Sequence, residues 1–487
     1  MVPVSAEIPA QMDRSTEDRK EPKRSKLSEP NPENRDDLIS NLPDTILCHI
    51  LSFLPTKYAV GTSILSSKWK NLFTLISNLN LDFDDSLVLH HPNGGTNLKE
   101  EVESEPEEEN ENSFTDFVGG VLKRLLQNSA RIHEFNLICD KKFKDDCVAT
   151  WIRSAVMLSV QSVCLNASIR DSSQLFASLS GCTSLLELYL VGTSILKIPS
   201  VKFPNLKILF LAYARFPVDK PVELLFDGCH VLEALVWSHC SIVTDNFRIC
   251  MPLLNNLIIR SCFITSTVVI DAPKLDYLHY LGILAESHSF VRNFDRLYCL
   301  ELHVIPLSRL LEAYDEELHG SSGYGYMNLS EIFTTCFGVE ILQLGHFTIE
   351  ALDHLSLPMP KFCNLKSLKL GGMGMAGWRT LGSLLENSPN LETLVIREGF
   401  DMYDEGFASF LSSLNGVPYC LSSSMKQIEI GAFKGQEDEI NLIEYFLQKG
   451  KVLEKLLFNC DFDWGKNFDV LKRIIVGSIK INPRLKL

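Results

Sequence analysis

Apolar residues fall along this chain in two periods, one helical and confined to the front, one repeating over most of the remainder. Leu42-Pro43-Asp44 opens the helical part, with proline where its missing N–H costs nothing and Asp44 at the positive end of the helix dipole. Ile46, Leu47, Ile50, Leu51 and Leu54 then form an apolar stripe, and Pro55 ends it. A second helical stretch is predicted from Ala59 to Phe73, with Val60, Ile64, Leu65, Trp69 and Leu72 as its apolar positions. A unit of about 45 residues lies near the lower limit for independent stability, so its stripe calls for a partner surface. The competing reading is a core helix packed on the units that follow.

From residue 132 the pattern apolar-x-x-apolar-x-apolar recurs. It starts at Ile132, Val160, Leu185, Leu206, Leu232, Leu254, Leu275, Leu297, Val339, Leu365, Leu391, Met425 and Leu453. The mean step of about 27 residues lies in the range of leucine-rich solenoids, which stack one strand per unit into a parallel sheet. Several units add a small or thiol residue and then an aliphatic: Thr193 and Ile195, Cys240 and Ile242, Cys262 and Ile264. At an inward turn such a residue hydrogen-bonds neighbouring backbone, which leucine cannot, so these cysteines read as structural. The long step from Leu297 to Val339 contains Gly320-Ser321-Ser322-Gly323-Tyr324-Gly325, predicted as a surface insertion.

Side chains alternate along a strand, so the residues between the inward aliphatics line the concave sheet. Tyr189 and Val191, Phe210 and Ala212, Val236 and Ser238, and Ile258 and Arg260 are unusually apolar for an exposed face, followed by His279 and Glu301. Contiguous apolar surface marks an interface. Tyr189, Phe210, Val236, Ile258, Arg260 and His279 are therefore the candidate target-binding residues, the alternative being that a loop or neighbouring domain covers the strip. Basic concave positions, Arg260, Lys369, Arg397 and Lys455, are dispersed over many units, so no phosphate-holding cluster and no cofactor is predicted.

Composition narrows the partners. The 487 residues carry 46 Lys and Arg against 61 Asp and Glu, a net charge of -15, the wrong sign for nucleic-acid or anionic-membrane binding. Eight of the twelve residues from Glu100 to Glu111 are Glu, read as part of an extended, self-repelling loop over 85–112. Residues 1–36 are polar and predicted disordered, with Lys23-Arg24-Ser25-Lys26 read as solvated tail rather than a nuclear address. No stretch reaches membrane-spanning length and no signal-peptide pattern opens the chain, so membrane insertion and secretion are not expected. The 14 cysteines include no C-x-x-C pair and the 12 histidines no metal-ligand spacing, so no metal site is predicted and the thiols read as reduced.

Two further patterns bear on chemistry. Gly372-Met373-Gly374-Met375-Ala376-Gly377 has the dinucleotide-loop spacing, but it is also one turn of the solenoid, and no catalytic or cofactor role is assigned to it. Glu437, Asp438 and Glu439 precede Ile440, Ile443, Phe446 and Leu447, with Gly450 closing, the charge order of a helix that caps the solenoid.

Leu42-Pro43-Asp44 with Ile46-Leu47, Ile50 through Lys57, Ala59-Val60 and Thr62 through Trp69 resemble a plant F-box. Ser67-Lys68 stand where Lys-Arg usually precedes the tryptophan. Val417-Pro418-Tyr419-Cys420-Leu421 through Val452-Leu453-Glu454-Lys455-Leu456 resembles the FBD domain that follows leucine-rich repeats in such proteins. The resemblance implies an α/β architecture of five parts: tail 1–36, helical F-box 37–84, acidic loop 85–112, leucine-rich-repeat solenoid 113–414 and FBD cap 415–487. It implies a non-catalytic substrate adaptor, working in cytoplasm or nucleus, that joins a cullin-RING ubiquitin ligase through a Skp1-like subunit. Leu42, Pro43, Ile46, Leu47, Ile50 and Leu51 would carry that contact. A protein-binding scaffold that never engages a ligase is the alternative.

Overall fold

The computed structural model describes residues 39–88, 107–139, 145–169, 172–193, 201–216, 223–242, 246–264, 267–283, 288–290, 296–305, 329, 332–333, 335–355, 359–400 and 405–459. The N-terminal tail, His90-His91, the first part of the acidic run and the glycine-rich insertion lie outside these. One parallel sheet organises the chain, and its fourteen strands stand side by side in chain order. They are β1 (Leu79–Asp84), β2 (Ile132–Cys139), β3 (Ser162–Ala167), β4 (Glu187–Val191), β5 (Ile208–Ala212), β6 (Ala234–Ser238) and β7 (Asn256–Arg260). Then come β8 (Tyr277–Gly282), β9 (Cys299–Val304), β10 (Ile341–Leu344), β11 (Ser367–Leu370), β12 (Thr393–Ile396), β13 (Gln427–Ile430) and β14 (Lys455–Phe458). All thirteen apolar starts named above are buried, because each unit places its first aliphatic under the corner that leads into the strand. The solenoid is α/β, as the periodicity predicts.

The front unit holds α1 (Asp44–Leu51) and α2 (Thr56–Gly61), each entered from a proline with extended backbone, Pro43 and Pro55. The long second helix read from Ala59 to Phe73 is not continuous. α2 stops at Gly61, and two 3-10 segments follow, Thr62–Ile64 and Trp69–Leu75. Serines 63, 66 and 67 and the flexible Gly61 favour turns over a helix interior, and Trp69, Leu72 and Phe73 reach the core from the tighter winding. Lys68 fastens the entry segment, its Nζ donating to the carbonyls of Ser40 at 2.6 Å and Leu42 at 2.7 Å, while Trp69 Nε1 donates to Ser40 Oγ at 3.0 Å.

β1 pairs in parallel with β2, Leu81 opposite Phe135 and Phe83 opposite Leu137. The front unit thus ends inside the first strand of the solenoid, and its core is continuous with that of the arm. Head and arm are joined by a hydrogen-bonded ladder rather than by a linker.

Helices cover the convex side at both ends: α3 (Glu107–Gln127), α4 (Asp145–Met157) and α5 (Ser173–Leu179) early, then α6 (His346–Leu355), α7 (Met375–Glu386), α8 (Gly406–Ser412), α9 (Tyr419–Ser423) and α10 (Glu437–Lys449). The acidic run is not loop throughout, since α3 begins at Glu107. Glutamate is a good helix former, and negative charge in a first helical turn is favoured by the dipole. Between β6 and β9 successive units are about 22 residues long, too short for a convex helix. There the back is built from three parallel strands, Asn246–Cys250, Thr267–Asp271 and His288–Phe290. At the far end α10 carries a capping box between Gln436 and Glu439, as its acidic start predicts.

Candidate functional site

Register places one residue of every strand in a single row across the concave face. From β1 to β7 it reads Asp82, Asn136, Cys164, Tyr189, Phe210, Val236 and Ile258. It continues through His279, Glu301, Gln343, Lys369, Val395 and Glu429 to Leu457. The row is polar at its start, apolar from Cys164 to Ile258, polar again from His279 to Lys369, and mixed beyond. Tyr189 and Phe210 pack at 5.9 Å between ring centroids, and both remain half-buried, as do Val236 and Ile258. Glu187 lies beside this end, accepting from Tyr189 Oη at 3.3 Å and Ser162 Oγ at 3.2 Å. Burial first, and then Glu187, push the Tyr189 hydroxyl above its ordinary value.

The polar stretch is a connected network. Arg260 Nε donates to His279 Nε2 at 3.3 Å, and His279 Nδ1 lies 2.8 Å from Glu301 Oε2. With Arg260 on its Nε2 side, the ring of His279 turns Nδ1 to the Glu301 carboxylate. That hydrogen bond, with a smaller contribution from Tyr277, holds the Glu301 carboxyl below the usual range against the opposing effect of burial. On the adjoining strands His303 Nε2 sits 3.1 Å from Gln343 Nε2. Burial foremost, then the neighbouring His279, lowers the His303 value.

The backbone under Arg260 is pinned. Its carbonyl accepts from His239 N at 2.8 Å and from Cys262 Sγ at 3.4 Å, and Cys262 Sγ also receives Cys240 N at 3.4 Å. The structural role read for these thiols is realised, whereas the Thr193 hydroxyl finds no partner among the described residues. Just past the strand ends, Tyr213, His239 and Ser261 all take left-handed backbone with φ of 53°, 53° and 48°. Each donates its N–H to the next strand, Tyr213 to Ser238 O, His239 to Arg260 O and Ser261 to Leu281 O. The exposed rings of Tyr213 and His239 stack at 4.7 Å along this rim. Such strain in a bulky residue is uncommon, and here the inter-strand bonds hold it in place.

The six candidate concave residues are thus neighbours, but in different roles. Tyr189, Phe210, Val236 and Ile258 form the apolar strip and Arg260 is exposed, while His279 is only 8% exposed. His279 therefore positions Arg260 rather than offering a contact surface of its own. Sequence reading passed over Glu301 as the partner of this histidine, Tyr277 as a further partner of Glu301, and the rim pair Tyr213–His239. Their signal was their fixed offset within successive units.

The head presents a second surface. Along α1 the apolar stripe divides into two i, i+4 rows, one inward and one outward. Leu47 and Leu51 are fully buried, so they build the head and are not available to a partner, contrary to the expectation for them. Ile46 at 46% and Ile50 at 42% exposure lie outward, and Phe53, Leu54, Tyr58, Ile64 and Leu65 are exposed in the segments that follow. Pro43 is exposed and Leu42 half-buried.

The glycine motif 372–377 turns out to be a corner between units. Gly372 N donates to Glu398 Oε2 at 3.1 Å, and Met373 is buried under a bridge to Phe400. Glu398, 26 residues on, takes the amide that a pyrophosphate would need.

Comparison with known proteins finds three matching regions along the chain. Residues 39–80 match the F-box domain, and residues 148–304 match the LRR repeats of FBD-associated F-box protein At5g56370. Residues 413–458 match FBD. The F-box/LRR-repeat protein At4g14096 of Arabidopsis thaliana is 32% identical over 442 residues, 86% of this chain and 87% of that one. The F-box/LRR-repeat protein At4g14103 of the same plant is 32% identical over 74% of this chain and 91% of its own length.

Proposed function

The chain belongs to the F-box/LRR-repeat family, and from that premise we propose that it is the substrate-recognition adaptor of an SCF-type E3 ubiquitin ligase. The head docks on a Skp1-like protein and through it on a cullin-RING ligase, in cytoplasm, nucleus or both. The concave face holds the target protein. The adaptor makes and breaks no bond itself. It raises the effective concentration of a target lysine near the charged ubiquitin-conjugating enzyme.

The observation that carries this reading is the outward apolar row of Ile46 and Ile50 with Phe53, Leu54, Tyr58, Ile64 and Leu65 exposed in the segments that follow. A cluster of large exposed apolar side chains on so small a surface is favourable only when covered. The β1–β2 ladder adds the mechanical requirement, since a head continuous with the arm keeps a bound target at a fixed place relative to the ligase.

The test is co-purification of the full chain with a Skp1-like protein, compared with the Ile46→Asp/Ile50→Asp double variant. Both side chains are largely outside the core, so the variant keeps its melting temperature within a few degrees. The expected result is a stable complex for the unaltered chain and loss of at least about a hundredfold in affinity for the variant, because a charge closed into an apolar interface costs several kcal/mol. No complex at micromolar concentration would leave a binding scaffold that engages no ligase.

A further inference from the structure

Taking the adaptor reading as its setting, we propose that the concave strip between Tyr189 and Arg260 recognises a polypeptide segment carrying two or three apolar side chains and, at one end, a carboxylate. The apolar part follows from Tyr189, Phe210, Val236 and Ile258, which occupy four consecutive strands in one row and keep partial access to solvent. Three strand spacings span roughly 14 Å, the length of about four extended residues laid across the sheet. The carboxylate follows from Arg260. It stands two residues beyond Ile258 on the same strand, exposed, with Ser238 and Leu281 as its uncharged lateral neighbours.

Arg260 is held for this purpose. Its Nε is committed to His279, its carbonyl is bound by His239 and Cys262, and Glu301, the nearest acid in the network, is engaged by His279. Among the described residues no carboxylate forms an ion pair with Arg260. The two terminal guanidinium nitrogens are left to make a paired contact with a planar carboxylate. A single arginine is poorly matched to a doubly charged phosphate, which favours several cations.

The strip also has direction. Glu187 lies at the Tyr189 end, close enough to accept a hydrogen bond from that ring's hydroxyl. An acidic group is repelled there and drawn to the Arg260 end, so the partner's acid follows its apolar residues in one orientation across the sheet.

The experiment is an array of synthetic dodecapeptides in which Phe, Ile, Leu, Asp, Glu and Lys are placed systematically, probed with the purified full chain. Peptides with two apolar positions and an acid about four to six residues from the first should be retained about tenfold better than their Lys-substituted counterparts. Arg260→Glu should reverse that ratio, and Phe210→Asp should abolish retention of both kinds. His279→Ala, which keeps the charge but loses its support, should weaken the acid preference without reversing it. Melting temperatures of the variants establish that each is folded. An array with no apolar-acidic selectivity, or an acid preference that survives Arg260→Glu, overturns the proposal. Binding of a Skp1-like protein by the same preparations is measured separately, so failure of the head and failure of the strip are distinguishable.

Discussion

Arg260 and His279, 19 residues apart in sequence, meet on neighbouring strands with Arg260 Nε 3.3 Å from His279 Nε2. On the other side of the ring His279 Nδ1 lies 2.8 Å from Glu301 Oε2. The geometry has a consequence for stability in acid. Glu301 is held below its unfolded value, so its contribution is present above about pH 4.3 and lost as pH falls through the lower folded value. His303 is also lowered, so the fold favours its neutral form and stability declines as pH falls below about 6.5. Melting temperature against pH should therefore lose the decline that begins below about pH 6.5 in His303→Gln, and lose the steeper part below about pH 4.3 in Glu301→Gln. Curves that superimpose on that of the unaltered chain would contradict this account.

The two rows of α1 predict opposite behaviour for adjacent residues. Leu47→Ala opens space in a fully buried site and should cost about 2–5 kcal/mol in denaturant unfolding of the head. Ile46→Ala should cost well under half as much, because that side chain is 46% exposed, and should instead weaken binding to a Skp1-like protein. Equal stability losses at 46 and 47 would mean that the helix is rotated from the orientation described.

Gly406 begins α8 against the edge of Trp378, where an added Cβ would lie 2.5 Å from Nε1 of the indole. Trp378 is itself locked by stacking on Phe400 at 4.3 Å. Gly406→Ala should therefore destabilise the C-terminal units by about 1–3 kcal/mol through overpacking. Gly119 in α3 has nothing within 4 Å of such an atom, and Gly119→Ala should stabilise by up to about 1 kcal/mol. Chemical denaturation of the two variants reads both signs in one experiment.

Glu439 is buried at the start of α10, its Oε2 receiving the backbone N–H of Lys434 at 3.1 Å and of Gln436 at 3.0 Å. Burial nonetheless raises its carboxyl above the ordinary value, outweighing those bonds. The fold accordingly prefers the protonated acid, and the cost of ionisation appears as pH rises from about 4.3 through the folded value. Glu439→Gln should remove this pH dependence and melt at or above the parent at neutral pH. Glu439→Ala should lose about 0.5–2 kcal/mol because the amides lose their acceptor. A parent melting curve that is flat from pH 4 to 7 would contradict the burial argument.

Much of the architecture was legible before any contact was known. The apolar starts from Ile132 to Leu453 gave thirteen of the fourteen strands, since a residue that recurs at one place per unit must lie under the same corner each time. The strand missed, Leu79–Asp84, precedes the first complete repeat and reads as the end of the head. Its membership depends on pairing with Ile132–Cys139, a long-range relation that local periodicity does not encode. The division of α1 was hidden for a related reason. Ile46, Leu47, Ile50 and Leu51 are alike in hydropathy, and the head's core is too narrow to cover both rows, so which pair turns inward follows from where Leu72 and Phe73 pack.

The sequence by itself determined the repeat, the concave row and the chemical types along it, because alternation in a strand and a constant step between units follow from backbone geometry alone. Tertiary structure decided which side chains act together: the inward turn of Leu47 and Leu51, the withdrawal of His279 behind Arg260, and the engagement of Glu301 and Glu398. Each of these depends on residues about 20 or more positions apart being brought within a few ångströms, and on burial and hydrogen-bond direction, which the order of residues does not specify.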